Sequence, residues 1–431
     1  MSGTSKHTSP ATGAGLCPAD ILLPDFSSVS GTHWSVVACD QYTSQPEYWQ
    51  SVERLVGDAP STLRLILPEV WLSEAGERTP HIQAAMEEYS RSVLHSHPES
   101  MILVERRLKD GKLRRGLVGC IDLEKYDYRR GAQSLIRATE ATVPERIPPR
   151  MTIREGALLE LPHIMLLIDD RERTVLEPLS CETASMSSAY DYDLMQGGGH
   201  LRGYFLTEGQ KSRVAEALSA LASPEAMKRR YGRDSLAPLL FAVGDGNHSL
   251  AAAKACYEKL KSRLGDAALQ HPARYALCEV VNLYDASLEF EPIYRVIFGV
   301  EPEDFLRDLT AYTESRRGGM PAQTLHWQAG VRQGEITVAE PEAALAVGTV
   351  QAFLDEYMKK APAGVSVDYI HGEETARSLA AEPGAVAILF DGMRKEELFS
   401  TVISDGALPR KTFSMGHAED KRFYTEARRI R

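Results

Sequence analysis

The sequence has no apolar run approaching the roughly 20 residues that a membrane-spanning helix needs. Its opening, MSGTSKHTSPATGAG, lacks the basic segment followed by an apolar stretch that marks an export signal, so a cytoplasmic location with no membrane partner is expected. Basic charge is in deficit: the formal net charge is −11, which argues against the broad Lys/Arg footprint that neutralising nucleic-acid phosphates requires. Cysteine is sparse, with six spread along 431 residues and no CxxC pair, so neither a disulfide scaffold nor a thiol redox pair is expected. The twelve histidines form no HxxxH or HExxH pair, which leaves no zinc-ligand spacing. A Walker A loop and internal repeats are missing too.

What remains is an ordinary globular composition, 43% hydrophobic and 25% charged, too apolar for a disordered chain. Residues 1–17 read as a flexible tail rich in Ser, Thr, Gly and Ala. A core is expected over 18–300 and an α+β region, packed on it, over 301–431. The spacing predicts a short strand Val36–Cys39 ending in a turn at Asp40, a helix over PEYWQSVERLVG and another from His81 to Leu94. MILVERRL and RRGLVGCIDL read as a hairpin around DGK. Further on, a helix from Thr152 to Leu161, the strand HIMLLIDD and a helix from Glu208 to Leu221 are expected. YALCEVVNLYD and EPIYRVIF read as paired strands.

The segment FAVGDGNHSLAAAKA carries the strongest chemical signal. An apolar strand feeds a glycine turn into an Ala-rich helix, which presents free backbone N–H groups at a positive helix end. Gly244 and Gly246 permit close backbone approach, Asn247 and Ser249 offer hydrogen bonds to phosphate, Asp245 suits a transient Mg²⁺ or a proton, and His248 suits acid/base work. The alternative use of Asp245, Asn247 or Ser249 is as a plain helix cap. A second glycine-rich stretch, GGGHLRG, offers His200 and Arg202 on a lid-like loop over phosphates.

GDGNHSLAAAKA, VVACDQYTSQPEYW, IRATEATVPER, EPIYRVIF, DYIHGEE and LPRKTFSMG together resemble the DUF ten-fifteen proteins, which are similar to free serine kinases of the ParB/sulfiredoxin-like superfamily. The likeness runs nearly end to end and departs from the family pattern at Asn247 and Ser249, where a histidine and an arginine are usual. It implies an α+β fold with a ParB/sulfiredoxin-like mixed core and an additional C-terminal α+β portion. It also implies phosphoryl transfer from ATP or ADP, with Mg²⁺, to the hydroxyl of a small molecule such as free L-serine or a related hydroxy-amino acid. Carried over, the resemblance assigns catalysis to Asp40, Glu140, Asp245 and His248, with Asp40 as base or metal ligand. Phosphate binding falls to Gly244, Gly246, Asn247, Ser249, Arg146, Arg295 and Lys411, with Arg410, His371 and Glu373 as weaker candidates, a structural carboxylate being an equal partner for Arg295; the glycine-rich stretch adds His200 and Arg202, with a plain connection as its alternative. Two alternatives stay open: a non-catalytic nucleotide or amino-acid-binding regulator, favoured by Ser249 replacing an arginine, and a lyase or phosphatase acting on a phosphorylated amino acid. A small-molecule substrate, no nucleic acid and a homodimer complete the expectations.

Overall fold

A computed structural model describes residues 14–142, 145, 147–232 and 237–431. The chain folds as a mixture of helices and mixed sheets, divided into two compact units. The first takes the described residues of Met1–Ala138, Thr142–Leu288 and His417–Arg431; the second takes Thr139–Ala141 and Glu289–Gly416. Among the described residues no helix is long and apolar enough to cross a membrane.

The first unit is organised by a ten-stranded sheet. Its strands run in the order Ser187–Asp193, His200–Phe205, Ile102–Arg107, Leu113–Asp122, Tyr275–Asn282, Met165–Ile168, Phe241–Asp245, Ile136–Ala138 and Tyr126–Asp127, with Leu16–Cys17 added to Leu113–Asp122. Both faces are covered, because successive strand residues alternate sides and both sets are apolar. Leu103, Leu117 and Ile121 enter one buried cluster, whereas Ile102, Val104, Val118 and Cys120 enter the other. The hairpin at DGK forms as the sequence indicates: Gly111 takes φ +87° and Asp110 Oδ1 accepts from the Lys112 amide at 2.9 Å. The helix Glu208–Leu221 forms with the expected bounds, and it begins at a Thr207/Gln210 capping box.

Four local expectations are corrected. Val36–Cys39 is not a ladder strand; Val37 makes one isolated bridge to Phe423, and the segment is apolar because Val36, Val37 and Ala38 are buried under the C-terminal segment. Ile147–Gly156 is helical five residues earlier than expected, its two prolines lying in the first turn, where no intrahelical N–H bond is lost. Leu159–Glu160 is instead a strand paired with Arg428–Arg429. The helix expected from His81 begins at Ala75 and ends at Ser92. Finally, Tyr275–Asn282 and Phe290–Phe298 are not partners. Both edges of Tyr275–Asn282 are filled, by Leu113–Asp122 and Met165–Ile168.

Phe290–Phe298 belongs to the second unit, in a sheet ordered Arg332–Val338, Gln323–Ala329, Ala385–Leu389, Phe290–Phe298 and Ser366–His371, with Phe413–Met415 joined to the start of Phe290–Phe298. Helices Pro302–Ser315, Ala346–Tyr357 and Lys395–Asp405 each bury apolar positions, including Phe305, Leu309, Phe353 and Leu398.

Candidate functional site

Strand Phe241–Asp245 delivers Asp245 to the end of the sheet, and helix Asn247–Leu264 starts two residues later. Gly246 joins them as the N-cap at φ +76° and ψ 24°, a left-handed conformation that favours glycine. Its backbone lies against the residue that precedes strand Met165–Ile168: a Cβ there would stand 3.0 Å from Ile164 Cα. Gly246 therefore admits Ile164 to close range, rather than leaving its own flank open to a phosphate. The cap position of this 18-residue helix is Gly246, with Asp245 before it and Asn247 and Ser249 inside the first turn, so none of these three occupies the plain-cap position. Asp245 Oδ1 accepts from the Gly246 amide at 2.8 Å, one position short of the helix. Asn247 and half-buried His248 form its first turn.

The positive helix end faces further charge. Lys421 Nζ stands 3.4 Å from Asp245 Oδ2 and also acts on Asp40. Burial pushes the Asp40 carboxyl up, but His163, the 2.9 Å hydrogen bond from Gln41, Lys421 and Arg150 together hold it below its ordinary range. Asp40 is thus an ionised acceptor sharing a cation with Asp245. Its neighbour Cys39 is the opposite case: burial and the Asp40 charge push that thiol up to about 12, so it stays protonated and is a poor nucleophile.

His163, Tyr424, Lys421 and Arg150 are the members that the sequence reading missed. His163 Nε2 lies 3.1 Å from Ser249 Oγ, and its Nδ1 lies 2.9 Å from the Tyr424 hydroxyl, which accepts from the Cys39 amide at 3.2 Å. This chain ties the first turn of the helix to the turn that bears Asp40. Arg150 is ion-paired with Glu69, whose amide donates to the Cys39 carbonyl at 2.8 Å. A signal for the tail residues does exist: KRFYTEAR alternates Arg422, Tyr424, Glu426 and Arg428 on one side, the period of an extended segment.

That tail is held by buried charge. Arg422 pairs with Glu279 at 2.7 Å and Glu426 at 2.8 Å, and donates to the Pro162 carbonyl at 3.0 Å, next to His163. Gly116 makes room for Glu279, since a Cβ there would meet the Glu279 carboxylate at 2.0 Å. Arg106 donates to the carbonyls of Gly198, Glu419, Asp420 and Lys421, and Arg114 donates to that of Asp420 at 2.7 Å. Burial pulls Arg106 down to about 9.

The remaining predicted residues lie elsewhere. His200 and Arg202 are not on a lid: both sit in strand His200–Phe205, where His200 meets Asp191 and Asp193 at 2.6 Å and Arg202 meets Asp191 at 3.1 Å. Five strand spacings separate that strand from Phe241–Asp245, roughly 24 Å in the sheet direction. Glu140, Arg295 and Lys411 belong to the second unit, where Glu140 bridges Leu408. Arg295 is buried and its donors go to the carbonyls of Ile293, Arg410 and Lys411 and to Gln351 Oε1. Its five N–H groups are thereby used, so it shapes the Arg410–Lys411 turn instead of offering a donor to phosphate. Exposed Arg410 and Lys411 overhang the Tyr369 ring at 5.5 and 4.9 Å. Arg146 lies outside the described residues. Among the described residues no three His, Cys, Asp or Glu side chains cluster as metal ligands.

A profile of the family described as "Protein of unknown function (DUF1015)" matches residues 25–359. None of the curated proteins matches the chain. Among solved structures, a free serine kinase in complex with AMP is similar over 71% of this chain and 90% of its own, at 12% identity and a TM-score of 0.35. A conserved hypothetical protein from Pyrococcus furiosus is similar over 72% and 94%, at 11% identity and a TM-score of 0.34. SbnI with a C-terminal truncation, from Staphylococcus aureus, is similar over 69% and 82%, at 12% identity and a TM-score of 0.35.

Proposed function

The chain belongs to the DUF1015 family of proteins of unknown function, and from that premise and the geometry of its first unit we propose that it transfers a phosphoryl group from a nucleotide to the hydroxyl of a small metabolite. The acceptor class is free L-serine or a related hydroxy-amino acid, on a core of the ParB/sulfiredoxin-like kind. One observation carries the reading: the turn ahead of a long helix, whose cap position is a glycine, holds Asp245 with Lys421 at 3.4 Å, and the same lysine helps to keep Asp40 ionised. Oriented N–H groups and a lysine favour anionic phosphate, and a carboxylate kept ionised accepts the hydroxyl proton as the new O–P bond forms and the bond to the leaving nucleotide breaks.

The residues present fit ATP or ADP with Mg²⁺. The donor set of the first helical turn, with Ser249 and Lys421, suits phosphate oxygens. Asp245 suits a magnesium ion, which needs only one or two protein carboxylates because phosphates and water complete its shell. When bound, the ion would neutralise charge on the phosphates. His163 and Tyr424 act indirectly, by fixing Ser249 and the Asp40 turn relative to each other.

The test incubates the protein with Mg²⁺, ATP or ADP and a panel of free hydroxy-amino acids, with mass spectrometry of the products. A phosphorylated acceptor is expected from the native protein and from a His200→Ala/Arg202→Ala variant, at least a hundredfold less from Asp40→Asn, and weakened nucleotide binding from Lys421→Met. Undiminished product from Asp40→Asn sinks the catalytic assignment. Tight nucleotide binding with no product from any pair leaves the regulator reading.

A further inference from the structure

A part-open cavity of about 150 Å³ lies inside the first unit beside the site. It forms where four apolar clusters meet, with Ile164, Ile66, Leu67 and Ala252 contributed by different ones. Leu72, Met86 and Ile153 extend its walls. One end is polar: Cys39, His163, Ser249 and Tyr424, the hydrogen-bonded chain described above, line it together with Arg150. Asp40 follows Cys39 in the chain and responds to the charges of His163 and Arg150, so this polar end is the one nearest the base. The charged groups on the walls already face partners, Arg150 with Glu69 and Arg154 with Glu160 at 2.5 Å.

We infer that this cavity takes a branched aliphatic group borne by the carbon that carries the acceptor hydroxyl. The ammonium and carboxylate of a free amino acid have no open counter-charge on these walls, and burying them there costs more than any contact returns. An aliphatic group has no such cost, and 150 Å³ is room for about six heavy atoms, the size of cavity that accepts benzene in a protein core. The ammonium and carboxylate then stay outside, and the hydroxyl lies at the polar end, beside Ser249 and on the side of Cys39 that leads to Asp40. Serine has only hydrogens on that carbon and leaves the cavity unfilled. The inference rests on the phosphoryl-transfer reading for its reaction, but not for its binding step.

The test therefore separates the two. Affinities of the full chain for L-serine, L-threonine and 3-hydroxyleucine are measured without nucleotide by ligand-observed NMR. Each additional buried carbon is worth roughly fourfold in affinity, so L-threonine is expected to bind about fourfold and 3-hydroxyleucine about sixtyfold more tightly than L-serine. Leu72→Phe, which fills the cavity from a half-buried wall position, abolishes that gradient; Ala252→Phe fills it from the helix and serves if the first variant fails to fold. Equal affinities, a preference for L-serine, or a gradient that survives in both filled variants overturns the inference. The same three compounds are then assayed with nucleotide. A binding gradient without any phosphorylated product keeps the inference and removes the reaction; L-serine turning over with a higher kcat/KM than 3-hydroxyleucine keeps the reaction and overturns the inference.

Discussion

Replacing Arg422 by methionine tests the idea that buried charge in the tail sets the site. Arg422 and Glu279 are each 4% exposed and Glu426 is 0% exposed, so water does not screen their pairing. Burial disfavours the guanidinium, yet Glu426 and Glu279 outweigh it and keep Arg422 charged. Removing one member of such a group leaves charge uncompensated in a low-dielectric interior, at a cost of about 3–5 kcal/mol. Here two carboxylates lose their cation, Glu426 keeping the hydrogen bond from the Tyr190 hydroxyl, and the Pro162 carbonyl loses a donor, which places Arg422→Met within that range. Glu279→Gln in the Arg422→Met background is expected to restore part of the loss, because it removes one stranded charge while nearly keeping shape. Urea unfolding followed by fluorescence measures both, and the midpoint is expected to fall sharply in the single variant and to recover partly in the double. A loss below about 1 kcal/mol in Arg422→Met would refute the reasoning, since it would mean that the pair is solvated or replaceable. The same variant, assayed under conditions where it stays folded, is expected to lose nucleotide affinity, because Lys421 and Tyr424 flank the anchor.

Two further outcomes follow from the site. Asp40 is held below its usual value of 3.8, so its carboxylate is present at every pH above the ordinary aspartate range and is lost only as pH falls through the depressed value; the acid limb of kcat/KM is expected below about pH 4 and moves upward in Lys421→Gln, and a limb that does not move when this cation is removed contradicts the assignment. Gly246→Ala places a side chain at φ +76° and 3.0 Å from Ile164 Cα, which costs about 2 kcal/mol and lowers Tm by roughly 4–8 °C; calorimetry showing no change would mean that the loop adopts another conformation.

Where periodicity and turn chemistry agreed, the sequence was a sufficient guide. The DGK hairpin, the Thr207-capped helix and the strand–glycine–helix unit at Phe241–Leu264 follow from alternation, a positive-φ glycine and a capping box, all of which act within a few residues. The local positions of Asp245, Gly246 and Ser249 at a strand–helix junction, and of Asp40 in a turn, were equally legible. The lid reading of His200 and Arg202 failed because glycines at 197–199 look alike before a flexible loop and before a strand; the carboxylates of Asp191 and Asp193 that fix His200 lie on the neighbouring strand.

Local sequence also determined that Arg295 needed partners, since a charged residue in IYRVIF cannot face an apolar interior alone. Whether those partners were carbonyls or a ligand was decided by the Arg410–Lys411 turn, 115 and 116 residues away. His163 and Tyr424 show the division most clearly. Each is unremarkable in its own segment, one beside a proline before an apolar strand and the other in a charged tail. They become a hydrogen-bonded pair only because the tail returns to the first unit after the chain has built the second, and because Arg422, Glu279 and Arg106 hold it there. Helical and strand periods are short-range properties of a few side chains, so the sequence carries them openly. A site assembled across 261 residues depends on sheet order and on buried ion pairs, which no local pattern encodes.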